Sequence, residues 1–262
     1  MQRLVQIIKD KLKMPQAGMP SRMAWAVWNT LQLLFTLSFT GVGIVVALGM
    51  LLLAGPRLPL RMGARVWAPV LFFGAGVRFE VEGQERVDWS RNHLFVSNHQ
   101  SIIDICALFA ALPVPLRFLL KDEMLQVPFV SWYARATGML FLDRDSRRAG
   151  AMVRRQAAAL LRQGQDLCLF PEGTRSRNGE LAEFKAGLLQ AAIDAGVDVV
   201  PVALDGAGKV LPSTSLFRVR PGVIRVRIGT PINVNGADGA LDRQQLTQRA
   251  HQAVRAMLEP RI

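Results

Sequence analysis

Two short segments of this 262-residue chain carry residue types whose spacing can do chemistry. The first is Asn98-His99-Gln100-Ser101-Ile102-Ile103-Asp104, in which a carboxylate follows an imidazole by five residues. A neutral imidazole, with an ordinary pKa of about 6.5, takes a proton near neutral pH, and a carboxylate on its other nitrogen fixes the tautomer and stabilises the imidazolium. The second is Phe170-Pro171-Glu172-Gly173-Thr174-Arg175-Ser176-Arg177, which leaves an apolar run and turns through a glycine that lets backbone approach a ligand closely. Arg175 offers a planar fork that grips a phosphate with two parallel hydrogen bonds, where lysine would offer a point charge. A base with its orienting group and an anion-binding turn in one chain point to an enzyme.

On one continuous helix, side chains five apart diverge by about 140°, so His99 reaches Asp104 only from a loop ahead of the helix. Ser101 is a good N-cap for such a helix, and Ser101-x-x-Asp104 is also a capping box. The two roles of Asp104 are compatible, because a first-turn carboxylate can face back toward the preceding loop. No Gly-x-Ser-x-Gly elbow occurs in the chain, so the nucleophile is expected to come from the substrate. His93 and His251 lack an acidic neighbour at comparable spacing and are read as structural. Cys106 and Cys168 lie in apolar surroundings with no metal-ligand spacing to the histidines, which argues against a zinc site or a disulfide. They are read as buried small hydrophobes, and no metal or cofactor is expected. Lys121, Arg144, Arg177 and Lys185 follow or flank strand ends and are expected to converge on the crevice that holds Arg175.

The elements that must position these residues follow from periodicity. Short β-rich runs alternate with helical stretches from Arg78 onward, predicting an α/β fold with a mixed, largely parallel sheet covered by helices. The strands are expected at Phe79 to Val81, His93 to Ser97, Arg117 to Leu120, Met139 to Leu142, Asp166 to Phe170, Val199 to Val202 and Val223 to Ile228. In the last, Arg225 and Arg227 alternate with apolar residues, predicting one wet face. Helices are expected at Ser101 to Leu112, Pro128 to Thr137, Asp145 to Gln163, Ala186 to Ala195 and Asp242 to Leu258. Both motifs then leave the carboxyl ends of strands, where open α/β sheets bind their ligands. The stretch from Asp205 to Gly222 carries no clear period.

The balance of 32 Lys+Arg against 20 Asp+Glu, net +12, calls for an anionic partner. Nucleic acid is disfavoured by a single tyrosine and by the lack of aromatic-basic interleaving. A membrane surface is favoured by the charge-free stretch from Met23 to Pro56, too long for one upright span of about 20 residues. Its flanks are basic on both sides: Arg3, Lys9, Lys11, Lys13 and Arg22 before it, Arg57, Arg61 and Arg65 after it. Each flank asks to be cytoplasmic. A helical hairpin dipping into one leaflet, bent at Gly41-Val42-Gly43, satisfies both. The expectation is therefore residues 1–77 as a basic leader and membrane-anchoring helices and residues 78–262 as a catalytic domain facing the cytoplasm from the inner membrane. The helix with Arg147, Arg148, Arg154, Arg155 and Arg162 is either a solvated face or a dock for an acidic carrier protein or anionic headgroups.

At these residues the chain resembles the membrane-bound glycerolipid acyltransferases, the family of 1-acyl-glycerol-3-phosphate O-acyltransferases. Four ordered blocks between Phe79 and Ile228 carry the resemblance. Asn98, His99 and Asp104 match Asn-His-x4-Asp; Gly138 to Arg144 match an apolar run closing on arginine; Phe170 to Arg175 match Phe-Pro-Glu-Gly-Thr-Arg in full. Val199 to Leu204 look like a fourth, proline-centred block, with Ala203 where the family often has a second proline. The resemblance implies transfer of a fatty acyl group from acyl-CoA or acyl carrier protein to the free sn-2 hydroxyl of lysophosphatidic acid, giving phosphatidic acid. It implies His99 as general base with no acyl-enzyme, Asp104 as its orienting group, and Lys121, Arg144, Glu172, Gly173, Thr174 and Arg175 as the residues that hold the acceptor. A different lysolipid acceptor, or a lipid hydrolase or transacylase on the same histidine, is the alternative.

Overall fold

The computed structural model describes residues 22–143, 147–214, 218–235 and 240–259. The basic leader and Arg144 lie outside the described residues. The apolar stretch forms one helix, α1 (Arg22–Ala54), with mean hydropathy 2.3 over its most apolar window. It runs without interruption through Gly41-Val42-Gly43, so the bend expected there is absent. The chain instead reverses at Gly55, whose φ of +68° suits glycine and whose N–H caps Leu51 O at 3.1 Å, followed by Pro56. A lone Gly inside a helix costs only about 1 kcal/mol, whereas Gly then Pro is a complete stop. The return arm comprises α2 (Arg57–Met62), a π turn (Gly63–Trp67) and α3 (Ala68–Gly74). Trp67 Nε1 donates to Thr40 Oγ1 at 3.1 Å and Gln32 Nε2 donates to Gly74 O, which locks the two arms antiparallel. A hairpin therefore forms with its tip at Gly55.

Beyond it come β1 (Val77–Glu82), β2 (Leu94–Ser97), α4 (Asp104–Ala111), β3 (Leu116–Lys121), α5 (Val130–Ala136), β4 (Leu140–Leu142), α6 (Arg147–Arg162), β5 (Asp166–Leu169), α7 (Gln190–Ala195), β6 (Val199–Asp205), α8 (Ala207–Val210), β7 (Gly222–Ile228) and α9 (Arg243–Leu258). The strands form one sheet in the order β1-β7-β6-β2-β5-β3-β4, parallel except for β6 against β7. This is the mixed, largely parallel α/β architecture expected. Alternation along the central strands divides the core: Phe95, Cys168 and Val200 face α4 and the hairpin, while Leu94, Val96, Leu167 and Leu169 face α6, α7 and α9. Each large side chain so buried contributes about 1.5–3 kcal/mol. Leu60, Ala68, Leu71 and Phe72 of the return arm share a cluster with α4, so the hairpin is part of the core. The wet face expected of β7 is present at Arg225, whose side chain stays 41% exposed while its Nε bonds Glu80 Oε2 at 2.7 Å, and is largely covered at Arg227, whose Nη1 donates to Met257 O at 2.8 Å.

At the opposite end of the sheet from both motifs, Asp166 is buried and accepts the His93 N–H at 3.0 Å. Burial pushes its carboxyl up to about 6 from 3.8, although the His93 N–H and Arg117 oppose the shift. A raised carboxyl pKa stabilises the fold fully below the unfolded value near 4 and ceases to do so as pH rises through about 6. Asp166→Asn keeps the acceptor and never ionises. It is therefore expected to match the wild type near pH 3.5 and to be about 2–3 kcal/mol more stable at pH 7.5. Denaturant unfolding in detergent at the two pH values checks this; a pH-independent difference contradicts it.

Candidate active site

β2 and β5 are parallel neighbours, with Val96 opposite Leu169, so the loops leaving their carboxyl ends meet. The first loop holds His99 and the second holds Glu172. His99 Nδ1 lies 2.8 Å from Asp104 Oδ2, across the loop that precedes α4. The same oxygen accepts the N–H groups of Gln100 at 2.7 Å and Ser101 at 2.8 Å, and the Asp104 side chain is 0% exposed. The reach-back half of the capping box is thus present. The other half is not, because the Ser101 hydroxyl donates to Leu211 O at 2.6 Å and the helix starts after Ile103. With Nδ1 turned to the carboxylate, Nε2 is the basic atom left for a ligand. Phe170 stacks under the imidazole at 4.0 Å between centroids and 15° between planes, which fixes the ring's tilt.

Glu172 occupies a position different from the one expected. It is buried, its Oε1 accepts the backbone N–H of His99 at 2.6 Å, and its Oε2 accepts that of Ala182 at 2.9 Å. Burial raises its pKa, against the lowering effect of those two N–H groups. Both oxygens accept backbone N–H groups, so Glu172 clamps the His99 loop to the arginine turn and is not directed at an anionic ligand. Ser176 N–H completes the clamp on His99 O at 2.7 Å. Gly173 has φ +77°, and a Cβ there would stand 2.9 Å from Lys185 Nζ, so the expected approach of Lys185 to this turn is observed. Thr174 and Arg175 are exposed past the turn. Lys121 closes β3, next to β5, and pairs with Glu123. Arg177 is exposed on the continuation of the turn. The expected role of Arg144 falls outside the described residues.

Three positioning contacts escaped the sequence reading. Asn98 straddles Leu204 of β6, accepting its N–H at 2.7 Å and donating to its carbonyl at 2.8 Å, so the loop is tied to both neighbouring strands. Ser101 and Gln100 reach the stretch 205–214, the latter accepting Gly208 N–H at 3.4 Å. Phe170 was read as a strand end and as the first residue of the Phe-Pro-Glu-Gly-Thr-Arg block, without its contact to the imidazole. For Asn98 the match to a family block was the available signal, since the side chain's partner is more than a hundred residues away.

A cavity of about 460 Å³ runs from Ser101, Ile102 and Arg175 down between α4, α5 and the hairpin, where Leu37, Ile44 and Trp67 line it. Its polar mouth and apolar shaft suit an amphiphile. Ser101 Oγ is committed to Leu211, and the Cys106 and Cys168 thiols are buried, that of Cys106 pushed up to about 12. No activated protein nucleophile faces His99 among the described residues. Nor does any group of three or more His, Cys, Asp or Glu among them have the arrangement of a metal site.

Comparison with known proteins agrees with this geometry. A family model described as acyltransferase matches residues 78–205. The 1-acyl-sn-glycerol-3-phosphate acyltransferase beta of Homo sapiens is 31% identical over 221 residues, covering 84% of this chain and 78% of the human one. A 1-acyl-sn-glycerol-3-phosphate acyltransferase of Chlamydomonas reinhardtii is 36% identical over 171 residues, 64% of this chain and 49% of the algal one. The chain thus spans about half the length of its algal and Arabidopsis thaliana relatives. The lyso-ornithine lipid O-acyltransferase of Pseudomonas aeruginosa is 34% identical over 180 residues, covering 63% of this chain and 67% of that enzyme. The crystal structure of the 1-acyl-sn-glycerophosphate acyltransferase PlsC from Thermotoga maritima superposes with a TM-score of 0.75 at 26% identity, covering 91% of this chain and all of that one. On the strength of the human relative, the matched model and the shared fold, this chain belongs to the 1-acyl-sn-glycerol-3-phosphate acyltransferase family.

Proposed function

We propose that this chain transfers a fatty acyl group from a thioester donor, acyl-CoA or acyl carrier protein, to the free sn-2 hydroxyl of lysophosphatidic acid, giving phosphatidic acid. The observation that carries the reading is the His99-Asp104 couple, closed at 2.8 Å, in the loop whose next residues Ser101 and Ile102 line an apolar cavity together with Arg175. His99 Nε2 takes the proton of the acceptor hydroxyl, and the resulting oxygen nucleophile attacks the thioester carbonyl. The tetrahedral intermediate collapses with cleavage of the C–S bond; the ester remains on the acceptor and the proton on His99 passes to the departing thiolate. Asp104 holds the imidazolium through this cycle. Direct attack is supported by the want of an activated serine or cysteine near His99 among the described residues.

Arg175 holds the acceptor phosphate in this reading. Arg175→Ala is expected to raise the acceptor KM about tenfold or more, a loss of roughly 1.5–3 kcal/mol of charge-assisted bonding, with a smaller change in kcat. Initial rates against acceptor concentration decide it, and a mutant changed only in kcat contradicts the phosphate role. The exposed stripe Arg148, Arg155 and Arg162 on α6, beside an Arg154 paired with Asp194 at 3.6 Å, suits an acidic carrier protein as donor.

The hairpin attaches the enzyme to the membrane. Val27, Leu31, Leu34 and Val45 of α1 are exposed apolar side chains, and with the turn at Gly55 the basic residues Arg22 and Arg57 stand at opposite ends of α1, an arrangement that suits a helix lying along one leaflet's interface with its ends among the headgroups. The relative named for lyso-ornithine lipid favours a second reading of the acceptor, a different lysolipid at the same site. Release of thiol from a long-chain acyl-CoA by detergent-purified protein, with lysophosphatidic acid, with lyso-ornithine lipid and with neither, separates the acceptors. Acceptor-independent release identifies a hydrolase and refutes the transfer.

A further inference from the structure

We propose that the turn Val127–Trp132 is a second membrane-insertion element, separate from the hairpin, which holds the wall of the cavity at the bilayer surface. Phe129 is the only non-glycine residue among those described with positive φ. At φ +62°, ψ −50°, with Val130 N–H donating to Pro128 O at 2.7 Å, it is the centre of a classic γ-turn, a rare and strained conformation for a bulky side chain. Burial does not compensate that strain, since Phe129 is 47% exposed. The turn delivers its ring against Trp132, itself 54% exposed, edge to face at 5.0 Å. Val127 is exposed beside them. Three apolar side chains, two of them aromatic, are thus held outward by a backbone that resists the arrangement.

α5, which carries Trp132, packs against α1, and the inner residues of the same segment, Met124, Val130 and Tyr133, line the cavity together with Ile44 of α1. The aromatic tip is therefore carried on an element packed directly against the hairpin. Tryptophan and phenylalanine are the residues that settle at the boundary between headgroups and acyl chains, and the exposed Arg135 one turn on from Trp132 suits anionic headgroups there. A lipid surface meets all three features. The proposal rests on the hairpin lying in the bilayer and is independent of the acyl-transfer chemistry.

Both native thiols are buried, so single cysteines placed at Phe129, at Val45 of α1 and at Arg155 of α6 can be spin-labelled selectively. In vesicles of phosphatidylcholine and phosphatidylglycerol, the labels at Phe129→Cys and Val45→Cys are expected to be relaxed more by oxygen than by a water-soluble nickel complex. The label at Arg155→Cys should show the reverse. A lipid signal at Val45 with an aqueous one at Phe129 overturns the proposal, and an aqueous signal at both removes the hairpin reading along with it. A second variant separates insertion from packing. Phe129→Gly accommodates the positive φ, so its Tm is expected to hold or rise, while quenching of Trp132 by brominated lipid, read against Trp132→Phe, falls at least twofold. A lower Tm with undiminished quenching makes Phe129 a packing residue and overturns the proposal.

Discussion

Replacing His99 with alanine is expected to lower kcat by about 10²- to 10⁴-fold while leaving the binding of lysolipid nearly unchanged. The side chain is 15% exposed and rests on Phe170, so its removal opens no deep cavity. The loop itself survives, because what fastens it is backbone: His99 N–H on Glu172, His99 carbonyl on Ser176, and Asn98 across Leu204. The loss is therefore of the proton acceptor alone. Acceptor-dependent thiol release at saturating substrates, with the acceptor KM measured in parallel, checks the split. Turnover within threefold of wild type would remove His99 from the mechanism.

Asp104→Asn is expected to cost a comparable factor, about 10³- to 10⁴-fold in kcat, for a different reason. The carboxylate accepts the Nδ1 proton and so leaves Nε2 bare. An asparagine amide facing Nδ1 donates instead, and the favoured tautomer then carries its proton on Nε2, where it cannot accept another. The oxygen that faces Nδ1 is also the acceptor of the Gln100 and Ser101 N–H groups, so turning the amide nitrogen there leaves those two buried donors without their acceptor, at about 1–3 kcal/mol each. Asp104→Ala strips the same two donors without placing a donor at Nδ1, so it carries a similar folding cost and no imposed tautomer. The pair of variants thus separates orientation from folding. The tautomer is read directly from the imidazole nitrogen NMR shifts of the free enzyme, and an asparagine variant with full activity or an unchanged tautomer contradicts the orienting role.

Much of the framework was legible because it is local. All seven strand runs appear where alternation and β-branched content place them, their ends moved by up to three residues, and the helices follow from apolar period and glycine stops. The hairpin tip was misplaced because two glycines inside an apolar run look like a hinge. In the folded chain the i→i−4 ladder carries through them, and the Gly55-Pro56 stop, whose signal was equally present, decides the turn. The wet face of β7 holds at Arg225 and closes at Arg227 for a non-local reason: the end of α9 arrives to take that guanidinium. Glu172 was assigned to the acceptor because its motif surrounds it with ligand-binding residues; only the approach of His99 and Ala182 shows that its carboxylate is spent on the chain itself.

By itself the sequence determined the chemistry available: an imidazole, a carboxylate five residues on, an arginine past a glycine turn, and an apolar segment long enough to hold a membrane. These are properties of residue type and short spacing, and the backbone's few allowed conformations convert them into loop and helix with little freedom. Tertiary structure alone decided which of these groups face a ligand and which face one another. The strand order brings the ends of β2 and β5 side by side, and the closed hairpin turns separate apolar faces into one cavity. Contacts of that kind join residues tens to hundreds of positions apart, and no local preference encodes them.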